Sequence, residues 1–439
     1  MSINQETINS WLKYEENSFQ NSLQFNSIGD LARNQDEIVN NPYLFNTEVK
    51  PSLPITNQAS SGRCWLFASC NLVRIEAHKH WKETYNLEVN DLELSQNYLF
   101  FWDKIERYHR NLRYYLDMIS TENVNKERYL YYIYDDPISD GGQWDMAKEI
   151  IKKYGVVPKS VYPDSKHSKG SREMNKILKE KLKEDMLKLS RTSKEELENT
   201  ISLMMSKVYK LLVGFLGKPP TNFTWTFSSK GKVLTWKDMT PLSFLEKTGF
   251  KSDDWVSVIN DPRKQNEYNK FYQVKYLGNT QDQHVGWINL EMTRFKDLVA
   301  KSIKDNTPVW FGCDVCNNWD RKSGIHSLDI LKLKECADIE FNQTKEERLN
   351  SYTSLPNHAM VIVGYHKTKD DTNVQRWKIE NSWGSSSGHK GFLLMTDTWF
   401  SEYVFQVLIQ KKYLSQDELK LLDTEPSIIE PWDPLGTLA

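Results

Sequence analysis

Asn57-Gln58-Ala59-Ser60-Ser61-Gly62-Arg63-Cys64-Trp65-Leu66-Phe67 holds the first clue to what this chain is. A glycine-bearing loop gives way at Cys64 to an apolar run, with Trp65, Phe67, Ala68, Leu72 and Ile75 spaced for one buried surface. That spacing predicts a helix from Cys64 to about Lys79. A cysteine at a helix start faces backbone N–H groups that have no partner inside the helix, and the dipole favours negative charge there. With a cationic neighbour, such a thiol falls from about 8.5 to between about 3.5 and 7.5. Gly62 permits close approach of a substrate to the backbone. Gln58, six residues earlier, carries an amide N–H₂ able to reach the same pocket as the Cys64 backbone N–H. Two such donors stabilise a developing oxyanion.

Two distant segments supply what a thiol nucleophile needs. In Pro356-Asn357-His358-Ala359-Met360-Val361-Ile362-Val363-Gly364 a histidine opens an apolar strand, so its ring sits on a rigid support over a cleft. In Trp377-Lys378-Ile379-Glu380-Asn381-Ser382-Trp383-Gly384 the asparagine closes a strand, 23 residues past His358, a spacing that adjacent strands accommodate. Its amide oxygen can accept the second imidazole proton, with Trp383 shielding that bond from water. Taken singly, a cysteine opening a helix, a histidine opening a strand and an Asn-Ser-Trp-Gly turn are ordinary structural residues. Together they supply nucleophile, base and orienting group of one mechanism.

Composition narrows the alternatives. The chain has 439 residues, 39% hydrophobic and 26% charged, which excludes disordered, collagen-like and coiled-coil classes. Its 57 Lys+Arg against 59 Asp+Glu leave a net charge of −2, so no global basic field exists to hold nucleic acid. The start, MSINQETINSWLKYEENSF, lacks the basic-then-apolar pattern of a secretion signal, and no apolar run approaches the ~20 residues that cross a bilayer. The five cysteines are too few and too scattered for a disulfide framework. A cytoplasmic protein without membrane contact is expected. Cys313-Asp314-Val315-Cys316 has the spacing of half a zinc site, but no second such pair completes one. After the strand-like Val309-Trp310-Phe311, both thiols read as small buried hydrophobes, and neither metal nor cofactor is expected.

Along the chain, a helix is predicted from near Glu6 carrying Ile8, Trp11, Leu12 and Tyr14, followed by loop over residues 20–55. Further helices are predicted from Ser95 to about Met118 and from Trp144 to Tyr154, the latter closed by Gly155. Residues 165–217 are helical and at first highly charged, so only the later, apolar part is expected to dock. A hairpin spans Phe223–Trp236, loops and short strands fill 240–290, and a helix covers Phe295–Ile303. Strands follow at Val309–Cys313, His358–Tyr365, Arg376–Glu380 and Gly391–Met395, with an outer helix over Lys332–Asn350. Helices early and strands late predict an α+β fold with two lobes and a site at their junction.

With these motifs in place, the chain closely resembles the bleomycin hydrolase / bacterial aminopeptidase C family, a branch of the papain-like cysteine peptidases. The marks are Gly62–Phe67, Leu94–Arg107, Asp140–Met146, Trp310–Val315, Asp320–Gly324, Asn357–Tyr365 and Glu380–Gly384. The resemblance implies a papain-like two-lobed fold, with a mostly helical lobe, a strand-rich lobe and a large helical insertion. Its parts would be an N-terminal helix and arm (1–55), the helical lobe with the nucleophile helix (56–165), the insertion (166–220), the strand-rich lobe (221–425) and a C-terminal arm (426–439). It assigns Cys64 as nucleophile, His358 as base then acid, Asn381 as orienting residue and Gln58 as oxyanion donor. The first cysteine of the secreted pattern C-G-[SA]-C-[WY] has no counterpart in Ser61-Gly62-Arg63-Cys64-Trp65.

The ending Leu435-Gly436-Thr437-Leu438-Ala439 resembles the family's Met-Gly-Ala-Leu-Ala, with changes at Leu435 and Thr437. In the family this arm enters the cleft, where the carboxylate at Ala439 would meet the free α-amine of a peptide. Such a pair, shielded from water, contributes about 2–3 kcal/mol. The implied activity is an aminopeptidase acting on peptides with a free N-terminus. The alternatives are an endopeptidase on the same machinery and a nucleic acid-binding or scaffold protein on a peptidase fold. The resemblance further implies a homohexamer enclosing its active sites; DNA binding, known for some relatives, finds no support in the charge balance.

Overall fold

The computed structural model describes residues 3–11, 18–121, 125–281, 284–368 and 373–437. Leu12, Tyr14, Leu438 and Ala439 lie outside the described residues.

The helical lobe is built on α1 (Cys64–Tyr85) and α2 (Gln96–Ser120). From Cys64 to Ile75 every residue of α1 is buried at the centre of the core, and its polar members Ser69, Asn71 and Arg74 are hydrogen-bonded there. Ser95 caps α2 by accepting from the Tyr98 N–H. α3 (Trp144–Tyr154) follows, closed by Gly155 at φ +75°. Then come α4 (Arg172–Leu189) and α5 (Leu197–Leu216) of the insertion. Contrary to the sequence reading, the charged half docks as firmly as the apolar half. Met174, Leu178, Leu182, Met186 and Leu189 form one buried stripe along α4, while its many charges occupy the other faces. Charge density hid a regular helical period.

The hairpin of β1 (Phe223–Ser229) and β2 (Lys232–Met239) forms its own two-stranded sheet. Trp225 and Trp236 pack around Trp81 of α1, with ring centroids 5.8 and 5.2 Å away. Phe244, in α6 (Pro241–Thr248), closes the cluster. This helix was not expected from the sequence, although Thr240, Pro241 and Ser243 form a capping box with proline in the first turn.

In the second lobe the strands are β3 (Trp255–Ile259), β4 (Lys270–Val274), β5 (Val285–Asn289), β6 (Val309–Cys313), β7 (His358–His366), β8 (Arg376–Glu380), β9 (Phe392–Thr396), β10 (Val404–Gln410) and β11 (Ser427–Ile429). They run β11-β4-β5-β3-β10-β6-β7-β8-β9 in one sheet, extended by residues 325–326 and 319–320. α7 (Met292–Lys304) covers the sheet through Phe295, Leu298, Val299 and Ile303. β7 pairs antiparallel with β6 on one side, His358 opposite Cys313, and with β8 on the other, Val361 opposite Glu380. That second register brings the end of β8 level with the start of β7.

Three local expectations change. The stretch predicted as loop holds short helices at Ser18–Leu23, Ile28–Leu31 and Gln35–Asn40, the latter two capped by the Ser27 and Asn34 side chains. The outer helix is two short ones, Leu333–Ala337 and Lys345–Asn350, because Asp338 turns left-handed at φ +51° and Thr344 starts a new cap. Cys313 is buried as read, but Cys316 lies past the strand end and is exposed. Among the described residues no helix is long and apolar enough to cross a membrane.

Because α4 docks through a continuous stripe, Leu182→Ala should destabilise the protein by about 2–5 kcal/mol in urea unfolding. Lys188→Ala, on an exposed position of the same helix, should stay within about 0.5 kcal/mol. Equal effects would contradict the docking.

Candidate active site

The α1 start and the β7–β8 edge meet where the two lobes join. Arg63 precedes the helix without offering a side-chain cap, so the first-turn N–H groups stay free of local competition. Its guanidinium is buried instead, donating to Asp164 at 3.0 Å and to Ser61 Oγ at 2.9 Å and lying over the Phe67 and Phe100 rings. Trp65 donates its indole N–H to the Asp140 carbonyl at 2.6 Å. Asp140 is a junction: its carboxylate accepts from Lys104 (2.9 Å), Asn175 (2.6 Å), the Gly62 N–H (3.2 Å) and the Ser171 hydroxyl. Lys104 and those hydrogen bonds hold it ionised, well below the usual carboxylate range, against the opposing effect of burial. Thus α2, the insertion and the Gly62 loop are fastened to one carboxylate. Gly142 must be glycine, since a Cβ there would meet the Trp65 ring at 2.5 Å.

A second set of bonds ties this loop to the strand-rich lobe. The Gln58 N–H donates to the Ser382 carbonyl at 2.8 Å, and the Gly384 N–H to Thr56 at 3.0 Å. Ser382 Oγ donates to Gln58 Oε1 at 2.7 Å, which fixes the orientation of the amide, and Gln58 Nε2 donates one hydrogen to the Ser61 carbonyl at 2.6 Å. The second Nε2 hydrogen is left for a ligand. Behind the site, Arg74 of α1 pairs with Glu380 at the end of β8, 2.7 Å apart and almost fully buried.

His358 Nε2 donates to Asn381 Oδ1 at 3.0 Å, and that oxygen also accepts from the Ser382 N–H at 2.7 Å. With Nε2 protonated, the neutral ring keeps its Nδ1 lone pair. The Trp383 ring covers the imidazole at 4.8 Å between centroids. The Cys64 sulfur lies against the same strand end, within reach of the backbone N–H groups of Ala359, Trp65 and Cys64 itself. The structure therefore brings Cys64, His358, Asn381, Gln58 and Trp383 to one junction, while Ala439 lies outside the described residues.

Burial pushes the Cys64 thiol up to about 11, partly offset by those three N–H groups. Burial also lowers the His358 imidazole to about 4, the Asn381 bond opposing it. Burial thus disfavours an isolated charge on either group. Both sit fully out of water, so the charged forms are reached only together, by proton transfer from sulfur to ring.

Comparison with known proteins fits this geometry. Residues 2–436 match the Peptidase C1-like family. The chain belongs to that family. It is 40% identical over 398 residues to the bleomycin hydrolase of Gallus gallus, covering 88% of this chain and 86% of that one. It is 39% identical over 390 residues to aminopeptidase C of Lactococcus lactis subsp. cremoris, covering 88% and 87%. The crystal structure of PepW from Lactobacillus rhamnosis HN001 (DR20) aligns with a TM-score of 0.94 at 34% identity, over 100% of this chain and 99% of that one. The protein is a papain-like cysteine peptidase of the aminopeptidase C and bleomycin hydrolase type.

Sequence reasoning missed Arg63, Asp140 and Ser382 as supports of this peptidase site. All three stand inside quoted motifs, but only folding reveals that Arg63 ties the loop to Asp164, Asp140 holds the Gly62 loop and Ser382 aims the Gln58 amide. In a Cys64→Ala variant, which removes coupling to the thiol, the His358 imidazole should titrate near 4 by NMR of labelled histidine. Adding Trp383→Ala admits water and should raise that midpoint towards the ordinary value of about 6.5. A midpoint already near 6.5 before the tryptophan is removed would contradict a dry site.

Proposed function

We propose that this enzyme is an aminopeptidase that removes N-terminal residues through an acyl-enzyme on Cys64. The observation that carries the reading is the course of the C-terminal segment. Thr437 Oγ1 shares its one proton between the Pro434 carbonyl at 2.8 Å and the Pro356 carbonyl at 3.0 Å, two residues before His358, while Gln143 of the helical lobe holds the Leu435 and Thr437 carbonyls. A strap that touches both lobes beside His358 truncates the cleft between them. Peptides can then place only their first residue or residues before the reacting bond. The carboxylate at Ala439 is the proposed anchor for the substrate's α-amine, worth about 2–3 kcal/mol when shielded from water.

In the proposed reaction Cys64 gives its proton to His358 Nδ1, and its sulfur attacks the carbonyl carbon. Gln58 Nε2 and the Cys64 N–H receive the oxyanion. The C–N bond then breaks as His358 delivers the proton to the leaving amine. Water loses a proton to His358, adds to the acyl carbon and releases the acid, and the proton returns to sulfur. Asn381 holds the ring for both transfers, and Trp383 keeps their bond dry.

Two further readings follow the same support. All five cysteines are free, which fits a reducing, cytoplasmic setting. Trp11, Phe25, Val39 and Leu44 of the N-terminal arm are exposed by 57–83%. Covering them with further copies of the chain agrees with the hexamer implied by resemblance.

The test compares an aminoacyl anilide bearing a free amine with its N-acetylated counterpart, before and after removal of residues 434–439. The intact enzyme should cleave the free-amine compound, and truncation should weaken that activity and expose cleavage of the blocked one. Cys64→Ala should abolish both, by about a thousandfold or more. Equal use of both compounds by the intact enzyme would favour the endopeptidase reading, and full activity of Cys64→Ala would overturn the nucleophile.

A further inference from the structure

We propose that Gln143 and Asp433, the latter held by Arg263, are the positioning residues that set how far the strap reaches into the cleft. Through that reach they decide between N-terminal and internal peptide bonds. The inference rests on the strap reading above and names the groups that make it work.

Gln143 sits at the start of α3, directly after the Gly142 that packs against Trp65. Its Nε2 donates to the Leu435 carbonyl at 3.0 Å and to the Thr437 carbonyl at 2.8 Å. Its Oε1 accepts from the Trp287 indole N–H of β5 at 3.2 Å. Three bonds of fixed polarity leave the amide one orientation: flipped, it would set an oxygen against two carbonyls and an N–H₂ against an indole N–H. The side chain is nearly fully buried, so water offers no substitute for these donors. One amide thereby holds the tip of the strap at two points and ties it to both lobes.

The root is held independently. Arg263 makes two bonds to Asp433, at 3.0 and 2.8 Å, while Asp261 grips the same guanidinium from the other side at 2.8 Å. Asp433 in turn accepts from the Leu435 N–H at 2.9 Å, which shapes the turn leading to the tip. Between these clamps Pro434, Leu435 and Gly436 are buried, and open clefts flank the segment on two sides. Cavities of about 430 and 410 Å³ both border Trp432 and Asp433, one towards Arg107 and Tyr276 and the other towards Asn266 and Tyr352. Packing of Leu435 and Trp432 holds the segment against the core, and the polar clamps fix where along the cleft it sits.

The experiment measures kcat and KM on the free-amine and N-acetylated anilides for four proteins: the unaltered chain, the 434–439 truncation, Gln143→Glu and Asp433→Asn. Glutamate keeps the shape and the bond from Trp287 but sets oxygen against both strap carbonyls. The ratio of blocked to free-amine cleavage should rise roughly tenfold or more in Gln143→Glu, towards that of the truncation. A higher KM for the free amine and a lower KM for the blocked compound should carry the change. Asp433→Asn, which leaves Arg263 paired with Asp261, should move the ratio the same way by a smaller factor. A loss of folding or of general activity scales both substrates alike and leaves the ratio where it was. If truncation shifts the ratio and neither substitution does, the positioning role is overturned while the strap reading stands. If truncation also leaves it unchanged, the strap reading fails and the inference with it. Should Gln143→Glu yield no folded protein, Asp433→Asn alone decides.

Discussion

A helix end held against a sheet edge is the constraint on which this molecule's chemistry depends. The start of α1 carries the sulfur, and the β7–β8 edge carries imidazole and amide. The two belong to different lobes, so their relation is only as rigid as the bonds between those lobes. The Gln58–Ser382 exchange, the Gly384–Thr56 bond and the buried Arg74–Glu380 pair supply that rigidity within a few residues of the site. Removing one partner of such a buried pair costs about 3–5 kcal/mol, because the other charge is left buried and unpaired. Tight support of this kind keeps reacting atoms in register without reorganisation at the moment of reaction.

The same junction explains how dryness and reactivity coexist. Water is excluded by Trp383 on one side and by the packed start of α1 on the other, so isolated charges on Cys64 or His358 are disfavoured. A proton moving between them changes no net charge, and the Asn381 oxygen is already in place to stabilise the ring that receives it. The proposed transfer can therefore form the charged pair although burial disfavours either charge alone. In the proposed reading the strap adds selection, since Gln143 holds two of its backbone carbonyls beside the same cleft.

Much of this was legible in the sequence because the informative signals are local. The α1 start, the strand from His358 and the strand ending at Glu380 each announce themselves by period and by a polar residue at one end. Their meeting was legible only as a conjunction of roles, and by resemblance. The docking of α4 was not read, since its many charges obscure a stripe that only the Met174–Leu189 spacing betrays. Asp140 stands at the head of the Asp140–Met146 motif, yet the four partners of its carboxylate come from three distant segments, and no local pattern encodes them. Gln143 lies inside the same motif, just before the helix predicted from Trp144. Its partners Trp287, Leu435 and Thr437 come together only through the sheet order and the path of the strap.

The central claim is that Cys64 owes its reactivity to a proton-accepting imidazole held by Asn381. Alkylation by iodoacetamide, followed across pH with mass mapping of the labelled residue, tests it most directly. Cys64 should react first among the five cysteines and react well below pH 8, and His358→Ala should abolish that reactivity, leaving a rate that rises only towards the value of about 11 to which burial pushes the thiol. Preferential labelling of Cys316, the exposed thiol, with Cys64 indifferent to the loss of His358, would contradict the account.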